Sequence, residues 1–189
     1  MPDLRLRRLE RMARAGDDHA RARLLLERVR QGALAYGRLR LAAHLGDEAA
    51  GMALGPERSV PAQTLEALLR DLALFEEAPW VRAALAASEE ALSSWQPSQP
   101  ADAAAARRML GEVGAWLTCP CEQHRRRVAR IPAPGRAPFA RDLARAVSRE
   151  GERARWARRT IRDAARYVGE APVRERVTET LLEWALDSE

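Results

Sequence analysis

The sequence predicts an all-α protein, a helical bundle or short α-solenoid of about 8–10 helices joined by Gly/Pro turns. Three observations lead there. Val, Ile and Thr together supply only 16 residues against 38 Ala, a balance of intrinsic preferences that favours helix over sheet. Leu and Ala recur at steps of three and four, and short Gly- or Pro-containing breaks punctuate the apolar stripes. With 47% hydrophobic residues the chain has enough apolar surface for a core, despite 31% charge.

Leu6, Leu9 and Ala13 open a first stripe, and Leu24, Leu25 and Val29 a second. Between them lies Ala15-Gly16-Asp17-Asp18, in which Gly suits the left-handed position after a helix and Asp caps the next one. Gln31-Gly32 ends the second helix. Leu39, Leu41, Ala42 and Leu45 mark a third, and Gly46-Asp47 repeats the punctuation before Ala50 and Leu54. Gly55 to Pro61 reads as a connector. Leu65, Leu68, Leu69 and Leu72 follow Thr64 as an amphipathic helix to about Phe75. Another starts at Pro79-Trp80 and carries Val81, Leu85 and Leu92.

Ser93 to Pro100 is polar and Pro-rich, and Trp95 within it suggests that one side packs down. This divides the chain into an N-terminal helical-repeat-like region (1–94), a linker (95–101) and a C-terminal helical region (102–189). In the latter, Asp102 caps a helix through Met109, Val113 and Trp116, and a short basic helix follows Cys121. Ile131 to Gly135 breaks it. One long basic helix is then expected from Pro138 to about Val168, on the stripe Phe139, Leu143, Val147, Ala154, Ala157, Ile161, Ala165, Val168. A terminal helix starts at Pro172 and carries Val173, Val177, Leu181 and Trp184.

The segments Ala13 to Ala20 and Ala43 to Ala50 align thirty residues apart around their Gly-Asp pairs, with a weaker echo at Gly169-Glu170. Such a period suits helix-pair repeats, although Gly-Asp is also a common helix stop and start. Leu39 to Gly55, together with Leu9 to Asp17, resembles the short α-helical repeat segments of uncharacterised proteins from GC-rich bacteria, similar in style to HEAT and tetratricopeptide solenoids. The resemblance covers roughly the first 55 residues. It implies a protein-interaction scaffold without an active site of its own.

All 32 basic residues are Arg and none is Lys, a mark of GC-rich coding that makes the Arg total a weak signal. Local imbalance is more informative. Net charge runs +6 over residues 1–40, −7 over 41–123, +10 over 124–166 and −4 over 167–189. In the +10 block, Arg125, Arg126, Arg127 and Arg130 lie on the short helix. Arg141, Arg145 and Arg149 follow at steps of four, then Arg155, Arg159, Arg162 and Arg166. A row of this kind on one helix face would either follow phosphates or meet carboxylates. Glu76, Glu77, Glu89 and Glu90 of the acidic block are the expected internal partners, and self-association is a further outlet for such complementary charge. Trp80, Trp116 and Trp184 fall on apolar stripes and are expected in the core. Trp95 and Trp156 are the expected partly exposed anchors of a partner surface.

Cys119, Cys121 and His124 are three metal-ligand types within six residues, but zinc would need a fourth donor such as His19, His44 or a carboxylate. The alternatives are a reactive thiol, its pKa lowered by Arg125 to Arg127, or two thiols at a helix junction. The site expectation is therefore no metal. No phosphate-binding Gly-rich loop, Gly-x-Ser-x-Gly elbow or His-Glu-x-x-His pair occurs, and adjacent acids such as Glu76-Glu77 point about 100° apart on a helix. No catalytic residue and no cofactor is expected. Neither a signal peptide nor a membrane span is read, and two close Cys suit a reducing cytoplasm. The function expected is a non-catalytic helical module, an adaptor, regulatory subunit or inhibitor that binds a protein partner. The alternative is a nucleic-acid-associated protein whose Arg-rich helix clamps phosphates.

Overall fold

A computed structural model describes residues 2–55, 61–75, 78–95, 100–132 and 137–187. They are all-helical, with eleven α-helices among the described residues and no strand. In chain order these are α1 (Pro2–Arg14), α2 (Asp18–Arg30), α3 (Tyr36–His44), α4 (Glu48–Leu54), α5 (Leu65–Leu72), α6 (Ala78–Ser94), α7 (Pro100–Thr118), α8 (Glu122–Arg130), α9 (Pro138–Ser148), α10 (Arg153–Val168) and α11 (Glu170–Leu186). Among the described residues no helix is long and apolar enough to cross a membrane.

The chain forms two compact units, one of residues 1–62 with 181–189 and one of residues 63–180. The polar stretch expected as a linker at 95–101 joins α6 to α7, two helices packed together inside the second unit. Its residues 96–99 lie outside the described residues, as do 56–60 of the first connector and 133–136 of the break after Ile131.

In the first unit, α1 packs on α2, α2 on α4 and α3 on α4. The two Gly-Asp turns are built alike. Gly16 and Gly46 take φ of 88° and 99°, and the amides of Asp17 and Asp47 donate to Met12 O and Ala42 O, five residues back. Asp17 and Asp47 then cap α2 and α4 by accepting from Ala20 N at 3.0 Å and Ala50 N at 2.8 Å. Asp47 does more than its counterpart, because its other oxygen holds Arg21 of α2 at 2.7 Å. Gly169 is a different turn: its φ is 92°, but its amide donates to Ala165 four residues back, and the next residue, Glu170, already belongs to α11.

In the second unit α10 packs on both α6 and α9, and α7 and α9 on α6. Small residues let these backbones approach: Ala83, Ala84, Ala87 and Ala91 of α6, Ala140 and Ala146 of α9, and Ala157 and Ala164 of α10 are all fully buried. Phe139, Leu143, Val147 and Ile161 fill the space between, with Trp80 and Val81 at the start of α6. Burying each of these larger side chains contributes about 1.5–3 kcal/mol.

The long helix expected from Pro138 to Val168 is broken. It stops at Ser148, turns through extended Arg149 and a 3-10 turn at Glu150–Glu152, and restarts at Arg153. One straight rod would carry its two halves away from each other, whereas the break folds α10 back along α9 and covers both apolar stripes. Gly151, a poor helix former, sits in the break. Two smaller differences concern helix starts: Asp102 lies inside the first turn of α7 instead of capping it, and α11 begins two residues before Pro172.

Candidate functional site

The break in the basic helix gathers its arginines into a patch. Arg141 and Arg145 stand on α9, Arg149 in the turn, and Arg155, Arg159, Arg162 and Arg166 on α10. They are not one row on one helix. At the centre of the patch is Trp156, half-buried, with the guanidinium carbons of Arg145, Arg155 and Arg159 at 4.7, 5.4 and 5.7 Å from its ring centroid. Its indole N–H donates to Glu152 at 3.2 Å. That bond, with help from Arg155, holds the Glu152 carboxyl below its ordinary range.

Two buried aspartates hold the patch from beneath. Asp142 of α9 is fully buried; it accepts from Arg145 at 2.8 Å, and its second oxygen lies 2.7 Å from Arg159 Nε of α10, out of line for a hydrogen bond. Asp163 of α10 accepts from Arg166 at 2.6 Å and lies 3.9 Å from Arg159. A buried carboxylate needs paired charge, and here Asp142 meets three guanidiniums, those of Arg145, Arg159 and, at 3.6 Å, Arg141, while Asp163 meets two, all with other edges that reach solvent. Arg155 and Arg166 remain 73% and 78% exposed, so their donors are available to a second ligand. The groove along α10 is lined by Arg155, Arg158, Arg159, Arg162, Asp163 and Arg166.

The internal acids that meet this block are mostly its own. Of the acidic segment, Glu66 of α5 takes Arg162 through both oxygens at 2.7 Å, which holds the Glu66 carboxyl below its ordinary range. Glu89 instead meets Arg176 of α11 at 3.8 Å. Burial raises its pKa, partly offset by that arginine. The expected partners Glu76 and Glu77 lie outside the described residues. On α8, Arg125 and Arg126 both engage Glu122, and Arg125 also lies 3.6 Å from Glu150. Arg127 is exposed on the same helix.

Trp95 is half-buried and meets Phe139 edge-on, with centroids 5.9 Å apart. Trp80 and Trp116 are core residues, each with an arginine over its ring, Arg158 and Arg153 respectively. Trp184, expected in the core, is only half-buried: its ring faces the Arg38 guanidinium at 5.1 Å, because the buried stripe of α11 runs through Val177, Leu181 and Ala185 and leaves it at the edge.

The second cluster joins α7 to α8. Cys121 is the N-cap of α8, Cys119 is exposed just past the end of α7, and His124 lies one turn into α8. His124 Nδ1 is 3.2 Å from Cys121 Sγ and 3.1 Å from the Cys119 carbonyl oxygen. The Cys121 thiol is lowered to about 7, chiefly by the backbone N–H of His124 and then by the Cys119 thiol. Cys119, which donates to that sulfur, is raised in turn. The residues offered as a fourth ligand, His19 and His44, are not in this group, which among the described residues consists of these three.

The aspartates are what sequence reasoning missed. Asp142 and Asp163 are two of only four acids in the +10 block, and each has an Arg three residues on that pairs with it. That repeated Asp-x-x-Arg spacing, beside buried Leu143 and Ala164, was the available signal. No family model, curated protein or solved structure matches the chain.

Proposed function

We propose that the chain is a non-catalytic helical protein-interaction module, an adaptor, regulatory subunit or inhibitor, that receives an acidic protein surface on the Arg–Trp patch of α9 and α10. The observation that carries this reading is Trp156 held among Arg145, Arg155 and Arg159 while the outer arginines stay exposed. Trp and Arg dominate interface hot spots, and a fixed indole ringed by pre-oriented guanidiniums loses little freedom when a partner arrives. Planar donor forks suit carboxylates as well as phosphates.

The local acids favour a protein over a nucleic acid. Asp142, Glu152, Asp163 and Glu66 each take up part of the positive charge, so the patch presents directional donors rather than the uncompensated field that gives phosphate binding its strength. Trp156 is also the one aromatic in the patch, where a single-strand platform uses several.

The immobilised chain, offered nuclease-treated native extract at roughly physiological salt, tests this directly. The wild-type chain should retain a protein that Trp156→Ala and the double variant Arg155→Glu/Arg166→Glu do not retain. Retention of nucleic acid in untreated extract, lost steeply as salt rises and with no protein left after nuclease, would replace this reading with the phosphate clamp.

A further inference from the structure

We infer that Cys119, Cys121 and His124 form a binding site for one divalent ion of the zinc class, with two thiolates and one imidazole as protein donors and the fourth coordination place open. The inference is independent of the partner surface. It rests first on placement: the three ligand atoms all lie within 4.8 Å of one another. Around a tetrahedral zinc, Zn–S and Zn–N bonds set donors roughly 3.5–3.8 Å apart, so small side-chain rotations close the set without moving the backbone.

The backbone already holds the three in position. The Cys119 amide donates to Ala115 at the end of α7, and the Cys121 amide donates back to the Cys119 carbonyl at 2.7 Å, closing a tight turn around Pro120. Cys121 then caps α8, and His124, one turn on, directs its ring back over the cap to within 3.2 Å of the sulfur. A one-residue Cys spacing is unusual for a closed four-ligand site, but it suits an open three-donor set.

The donor chemistry selects the ion. Two sulfurs and an imidazole nitrogen suit zinc-class ions and exclude calcium and magnesium, which need oxygen donors. Glu122, the nearest carboxylate in sequence, is engaged by Arg125 and Arg126 and does not complete the set. Exposure of Cys119 leaves the fourth place to water or an incoming ligand. Binding is balanced by loss of the thiol protons: Zn2+ replaces the protons still on the two sulfurs, two Zn–S bonds form, and the imidazole coordinates as the neutral ring. If Nδ1 is the donor, its proton moves to Nε2, and the contact with the Cys119 carbonyl is given up.

The test uses the full chain, reduced and stripped with chelator, then titrated with Zn(II) against a chromophoric chelator and separately with Co(II). Expected are one ion per chain, release of protons, and a thiolate-to-cobalt charge-transfer band. Cys119→Ser, Cys121→Ser and His124→Ala should each weaken binding by more than about 100-fold, beyond what loss of a merely supporting partner costs. Their far-UV circular dichroism should stay that of wild type, since none of the three is in the core. Zn(II) should also protect both thiols of the unsubstituted chain from alkylation, a readout that needs no variant. No retained ion, unchanged affinity in any one variant, or binding of Cu(I) alone would overturn the assignment.

Discussion

Asp142 is a fully buried carboxylate in the most basic stretch of the chain, and it decides where two arginines point. Replacing it by Ala would leave Arg145 and Arg159 without their anchor. Both guanidiniums reach water, at 40% and 56% exposure, so they would escape rather than stay buried and unpaired. Asp142→Ala should therefore lower unfolding free energy by roughly 2 kcal/mol, the scale of a charge-assisted hydrogen bond, measured by urea denaturation. It should also loosen the cage around Trp156, visible as a red shift of that residue's fluorescence in a variant whose other Trp are replaced by Phe. Cys121 gives a second residue-scale expectation. With a thiol lowered to about 7 against an ordinary value of 9.0, the metal-free chain should alkylate Cys121 with a midpoint near pH 7, and Cys119 only at higher pH, as read by peptide mass spectrometry across a pH series. The cluster's residues were legible in the sequence because they lie within six positions, where spacing alone brings side chains together. The buried aspartates were not, because a carboxylate among fourteen arginines reads as surface charge until the packing of α9 on α10 places it inside.

At the scale of elements, the turns were the most legible part of the fold. Gly16-Asp17 and Gly46-Asp47 specify a left-handed stop and a side-chain cap within two residues, and both form with the same bonds. They differ in what surrounds them. A Cβ at Gly16 would meet nothing within 4 Å, whereas one at Gly46 would come within 2.7 Å of the Pro61 ring. Gly16→Ala should then cost about 1–2 kcal/mol from its positive φ alone, and Gly46→Ala clearly more, since a proline ring yields little; thermal unfolding of the pair compares them. The break at Arg149–Glu152 was not legible, because helical spacing from Phe139 to Val168 continues through it. Periodicity reports which residues want cover and leaves open whether one helix or two provide it. Only Gly151 hinted at the interruption. That break sets the patch: the four-residue spacing would give a row, and the fold-back gives a cage around Trp156.

At the scale of the whole molecule, the all-α class followed from composition and spacing, while the split into residues 1–62 with 181–189 and residues 63–180 did not. Linker composition marked 95–101, yet that stretch joins two helices of one unit, and no local signal announces that the last residues return to the first unit. Charge segmentation is resolved both across the blocks, where Glu66 and Glu122 of the acidic block meet Arg162, Arg125 and Arg126, and inside the basic one, where Glu152 meets Arg155; the folded pKa values of all three acids lie below the ordinary 4.5. Groups lowered in this way stabilise the fold above the unfolded value, and that contribution is lost as pH falls through the lower folded value. Stability by urea denaturation should therefore be level from neutral pH down to about 5 and decline below 4.5, with a smaller decline in Glu66→Gln, which has already given up its part. Protein binding by the cage around Trp156 is the proposal on which the rest depends. Its most direct measurement is the affinity of the retained partner for wild type, Trp156→Ala and a control, Arg23→Glu, on the exposed side of α2. Binding should be at least about 30-fold weaker for Trp156→Ala, the loss of a hot spot of roughly 2 kcal/mol, and unchanged for the control. Equal affinity for Trp156→Ala and wild type would contradict it.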